Sequence, residues 1–97
     1  MFSLHEYTVE AVADPFRILS GERYEFIIDV EVEEDDELHH EEGVRLRVVY
    51  AVNDGHGKIV KYEFQTADAG KYIDIEMEDD ELAMVEQFCA ETYTQAI

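Results

Sequence analysis

Val44, Leu46, Val48, Tyr50 and Val52 fall on alternate positions, with Arg45 and Arg47 between the first three. A period of two marks a half-buried strand, because successive side chains of an extended chain point to opposite faces. Val and Tyr also suit a pleated surface. The flanking segments repeat the pattern, so 44–52 is expected at the centre of an antiparallel sheet. Upstream, Tyr24, Phe26, Ile28, Val30 and Val32 share one face of a strand over 24–33, and acids hold most of the other face. Downstream, a strand over 59–65 returns with Val60, Tyr62 and Phe64 inward and Lys61 and Glu63 outward. Ile73, Ile75 and Met77 then form the inner face of a fifth strand.

The beginning of the chain alternates imperfectly. Phe2 and Leu4 have one parity and Tyr7, Val9 and Ala11 the other. A strand with a β-bulge near His5–Glu6 reconciles them. Asp14 to Gly21 reads as a short helical turn, with Asp14 capping, Pro15 at the first position and Gly21 taking the left-handed exit. Asn53-Asp54-Gly55-His56-Gly57 is a tight-turn signal, and Ala69-Gly70-Lys71 turns again.

From Asp79 onward the period changes. Leu82, Val85, Cys89, Thr92, Tyr93 and Ala96 form one apolar stripe at helical spacing, with Phe88 on its edge. Asp79 or Asp80 is the expected cap, with Glu81 at the positive end of the dipole. This helix is long enough to cover the apolar face of the sheet. The expected fold is therefore α+β, an antiparallel meander of four to five strands with a C-terminal helix packed on one face. A closed or half-closed barrel with the helix as a lid is the alternative. The 97 residues are expected to form a single domain, 1–97.

Composition narrows the function. Twenty-five acidic residues against seven Lys and Arg leave a net charge of −18. Such a field repels nucleic acid and anionic lipid and attracts basic partners. Neither nucleic-acid nor membrane binding is expected. No basic and apolar leader and no apolar run of about 20 residues is seen. One cysteine cannot form an internal disulfide, which fits a reducing cytoplasm.

The run 35–42 offers Asp35, Asp36, Glu37, His39, His40, Glu41 and Glu42 as possible ligands. It lacks a central glycine and does not match EF-hand spacing. A mobile, solvated loop without a preformed metal site is expected there. Cys89 lies far from the helix start among acids, whereas a nucleophilic cysteine needs a nearby cation or helix N-terminus. It reads as a core residue. His5 and His56 have no Ser or Cys at a nucleophile spacing. Gly55 and Gly57 lack the strand–loop–helix setting of a phosphate cradle. Arg45 and Arg47 are expected to pair across strands with Glu25, Asp29, Glu31 and Glu63. Ile27 and Val49 point outward beside them.

Glu6-Tyr7-Thr8-Val9-Glu10, Asp14-Pro15-Phe16 through Ile18-Leu19 and Gly21, Arg23-Tyr24-Glu25-Phe26 and Val44-Arg45-Leu46-Arg47-Val48 together resemble a family of small acidic bacterial proteins of unknown function. The resemblance covers nearly the whole chain, contains no catalytic motif and implies a bacterial cytoplasmic origin. Some relatives carry a label for cleaving branched glucans. Such glycosidases are similar to (β/α)₈ barrels of about 250 residues, which this length excludes.

The expected function is a non-catalytic interaction or regulatory module, working through the acidic surface or a sheet edge. Cation binding by 35–42 is the alternative. No catalytic, cofactor or metal residues are assigned. The expected partner is a protein, and a basic one. A homodimer is also expected, through the N-terminal strand, where Glu6 and Glu10 are the only charges, or the helix flank near Met84, because like charges oppose stacking of the outer face. It should strengthen as salt screens the −18 charge.

Overall fold

The computed structural model describes residues 2–12, 21–53 and 55–95. Five strands, β1 (Ser3–Ala11), β2 (Glu22–Glu31), β3 (Val44–Asn53), β4 (His56–Thr66) and β5 (Tyr72–Ile73), precede α1 (Asp79–Thr92) and a 3₁₀ turn over Tyr93–Gln95. The strands form one antiparallel sheet in sequence order, β1-β2-β3-β4-β5, so β3 is central. No pairing joins β1 to β5 among the described residues, so the sheet is open and the barrel alternative falls.

The register explains why the alternating residues are where they are. Tyr7 faces Ile28, Ile28 faces Leu46, Leu46 faces Phe64 and Phe64 faces Ile73, a single inward row across all five strands. Parallel rows carry Val9, Phe26, Val48 and Tyr62, and Leu4, Val30 and Val44. Phe26, Ile28, Leu46 and Val48 are fully buried. Each such side chain contributes about 1.5–3 kcal/mol by leaving water. The register of β1 slips between Leu4 and Tyr7, where His5 and Glu6 together oppose Asp29. The expected bulge is there, and it turns Phe2, Leu4, Tyr7 and Val9 onto the same face.

Helix α1 lies across that face. Val85 and Cys89 are fully buried and Thr92 is buried beside them, while Leu82, Met84, Phe88 and Tyr93 pack at the margin. Phe88 meets Tyr7 edge-on at 5.0 Å and Phe26 at 6.1 Å, and Tyr93 meets Tyr24 at 5.2 Å. Edge-on ring pairs set quadrupoles favourably and add to the burial. The N-cap is Glu78, not Asp79 or Asp80. Its backbone N–H donates to Glu81 Oε1 at 3.0 Å, and both aspartates sit in the first turn near the positive dipole end.

Two inward assignments change. Val60 is exposed and Ile59 takes its place, because the β3–β4 register shifts between Val49 and Tyr50. Val49 faces Lys61 and Tyr50 faces Ile59, which leaves Val60 as the extra residue of a bulge. The fifth strand is also shorter than expected. Ile75 N–H donates to Ile73 O at 2.9 Å, a tight turn that ends the ladder after two residues, although Met77 is still buried.

The acidic connection has a defined backbone path. It is a chain of turns closed by Asp36 N–H to Glu33 O, His39 N–H to Asp36 O and Gly43 N–H to His40 O. Leu38 is buried at its centre, near Phe64 and Ile75. One apolar side chain thus anchors a segment whose charges repel. The helical turn expected over 14–20 lies outside the described residues, as do Asp54 and Ala96. Gly21 has φ +68, a left-handed conformation that favours glycine.

Candidate functional site

The side chains that were candidates for chemistry are dispersed. Cys89 is fully buried between the helix and the sheet, and that burial, with Glu86 adding a negative charge, pushes its thiol up to about 12. A thiolate nucleophile needs the opposite shift. His5 is exposed on β1 and lies 2.6 Å from Glu31 Oε2. His56 begins β4 opposite Asn53, at the other end of the sheet, so the two histidines do not meet. His40 Nδ1 lies 2.9 Å from Leu38 O, within its own loop. No three His, Cys, Asp or Glu side chains converge to hold a metal ion among the described residues. Gly57 serves packing, since a Cβ there would lie 1.9 Å from the Tyr50 hydroxyl.

The outer face is occupied by its own charges. Arg47 donates through Nη2 to Glu25 Oε2 at 2.8 Å and through Nε to the same oxygen at 3.2 Å. Its other nitrogen reaches Glu63 Oε1 at 3.4 Å, and Arg45 Nε lies 3.5 Å from Asp29 Oδ1. The carboxylates hold the Arg47 guanidinium above its ordinary pKa, with the Glu25 hydrogen bond the largest cause. Glu31 instead pairs with His5. Cross-strand pairs of this kind stabilise by about 0.2–1 kcal/mol each. Ile27 and Val49 are half-buried between them.

What remains open is the free edge of β1. The strand pairs on one side with β2 and on the other side with nothing among the described residues. An antiparallel edge of nine residues presents alternating N–H and C=O groups to solvent. His5 to Ala11 and Gln95 line an open groove of about 930 Å³ along this edge. The groove is held in shape from within. Tyr7 packs its ring on Phe88 and donates its hydroxyl to Gln95 Oε1 at 2.7 Å, which ties the strand to the end of the helical segment. Glu6, Thr8 and Glu10 are exposed along it, and β1 contains no Lys or Arg. The sequence singles out this strand as one whose only charges are the carboxylates Glu6 and Glu10, but nothing in it marks Gln95 as a wall of the groove. That side chain is placed by the 3₁₀ turn after the helix.

A family model, a family of unknown function (DUF6509), matches residues 2–96. The chain belongs to DUF6509. No curated protein and no solved structure matches the chain. Membership in DUF6509 therefore assigns no activity, and the function rests on the geometry above. No helix among the described residues is long and apolar enough to cross a membrane.

Proposed function

We propose that this DUF6509 protein is a non-catalytic interaction module that takes an extended segment of a protein partner onto β1 as a sixth strand. The observation that carries the reading is a nine-residue edge, unpaired among the described residues, running along a groove. Strand addition uses main-chain hydrogen bonds for affinity and side-chain pockets for selectivity, and it needs an edge of about this length. The reading is supported by what the other surfaces are doing. The inner face is occupied by α1, and the outer face by its own ion pairs. The −18 charge disfavours nucleic acid and anionic membranes as partners. A single cysteine with no second to pair is in keeping with a cytoplasmic setting.

Proline scanning tests the reading. Of two neighbouring β1 residues, one N–H points to β2 and the other to the open side. Among Thr8→Pro and Val9→Pro, the variant that keeps wild-type melting carries the outward proline. That variant should lose binding to extended peptides selected on the wild-type protein, while hydrogen exchange of wild-type β1 amides should slow when such a peptide is bound. Unchanged binding by the well-folded proline variant refutes strand addition.

A further inference from the structure

Resting on the strand-addition reading, we infer that the occupant of the β1 edge is a cationic extended segment, with Lys or Arg at alternate positions, and not a second copy of this chain. Sheet edges are ordinarily guarded by lysines, prolines, bulges or short length. Among the described residues the β1 edge has a bulge at His5–Glu6 and none of these other guards, so Tyr7 to Ala11 remains regular and open there. Its exposed charges are Glu6 and Glu10, and its one imidazole is already turned to Glu31. The basic residues of the sheet, Arg23, Arg45, Arg47, Lys58 and Lys61, all lie on β2, β3 and β4. The groove is therefore the end of the sheet from which positive charge is missing, on a chain of net charge −18.

A strand entering there places its own side chains beside those of β1. On the outer face they come next to Glu10 and Thr8, where a Lys or Arg gains an opposite charge directly across the new ladder. A second copy would bring the same two carboxylates and another −18 to the same place. Long-range attraction also raises the association rate for a basic segment and lowers it for an acidic one.

Fluorescence anisotropy with three labelled nine-residue peptides tests this on the full-length protein. One alternates Lys with Val and Thr, one replaces every Lys by Glu, and one keeps all lysines but carries two central prolines. The Lys strand should bind at least tenfold tighter than either of the others, weaken about tenfold from 50 to 500 mM salt, and weaken several-fold in the Glu6→Gln/Glu10→Gln double variant. Equal binding of the Glu strand overturns the charge inference and leaves strand addition standing. Equal binding of the proline-broken peptide overturns strand addition itself, since diffuse attraction then suffices. A protein that binds no peptide and instead sediments as a dimer with protected β1 amides shows a second copy to be the occupant, and the inference falls.

Discussion

The two edges of this sheet are built to opposite specifications. Beyond β1 nothing is paired among the described residues, and the strand runs for nine residues beside an open groove. The far side ends in a β5 of two residues, and the rest of β4 is guarded in several ways. Val60 bulges out of its ladder, Lys58 and Lys61 are exposed on it, Ile59 N–H donates to Glu86 Oε2 at 3.4 Å, and the Tyr62 hydroxyl accepts from Met77 N–H at 2.9 Å. Leu38 adds an apolar plug beside Phe64 and Ile75. A chain able to blunt one edge so thoroughly has the means to blunt the other. The difference teaches that, among the described residues, the sheet is guarded along β4 and β5 and left open along β1.

That contrast breaks first at Leu38. The side chain is 4% exposed, and truncating a buried leucine costs about 2–4 kcal/mol. Leu38→Ala should lower the urea midpoint accordingly and speed hydrogen exchange in residues 34–42 and 73–77 while leaving β1 amides alone. A cost under about 0.5 kcal/mol would mean the acidic connection is held by something other than its leucine.

Gly57→Ala comes next. The new methyl group would collide with the Tyr50 phenol, which is 2% exposed and lies beneath Tyr93 at 5.9 Å. Overpacking of this kind costs about 1–3 kcal/mol. The Tyr50→Phe/Gly57→Ala double variant should recover part of the loss, because the hydroxyl is the nearest clashing atom. No recovery would place the strain in the β3–β4 turn.

Most of the fold was legible because the inner rows are apolar at strict period two and the helix at its own period, so burial and pattern agree. The bulge at His5–Glu6 was readable for the same reason, since a change of parity within one strand has few other causes. The bulge at Val60 was not. Ile59 and Val60 are interchangeable as hydrophobes, and only pairing with Tyr50 decides which one turns inward. The cap at Glu78 was hidden by two aspartates that are better cappers by propensity. The Glu78–Glu81 hydrogen bond decided it. As for the candidate site, strand β1 was marked by its few charges, but whether anything lies beside an edge depends on where the chain goes afterwards.

The pH dependence sharpens the picture of the covered side. Cys89 is pushed up to about 12 by burial, and Tyr24 also to about 12, chiefly by its hydrogen bond to Glu22 and then by burial. Both groups are held protonated by the fold. Their contribution is complete below the unfolded thiol and phenol pKa values, near 9 and 10, and is lost as pH rises through that window towards 12. For the buried Cys89 thiol, the proton lost first from the unfolded chain lowers stability by up to about 1.4 kcal/mol per pH unit, whereas solvent screening leaves the exposed Tyr24 hydroxyl a smaller share. Urea midpoints between pH 8 and 11 should fall, and Cys89→Ala should flatten the early part of that fall. An unaltered slope would show that the thiol is more accessible than its burial indicates.

The smallest effect bears most directly on why the β1 edge is acidic. Glu10 stands opposite Glu25 across the β1–β2 ladder, so two carboxylates face each other on the outer surface. Glu25 is committed to Arg47 at 2.8 Å, and Glu10 is exposed. Like charges directly opposite destabilise a sheet by a fraction of a kcal/mol, and Glu10 also adds to the repulsion of a −18 chain. Glu10→Gln should therefore raise stability by about 0.2–0.5 kcal/mol at low salt, a gain that fades as salt screens the pair. Glu25→Gln should instead lower stability by about 0.5–1 kcal/mol, because it strips Arg47 of its nearest partner. On the proposed reading, a carboxylate that costs the fold something is retained because it strengthens the hold on a basic strand. If Glu10→Gln lowers the urea midpoint, Glu10 is held by a structural partner, and its charge cannot be counted as left free for a ligand.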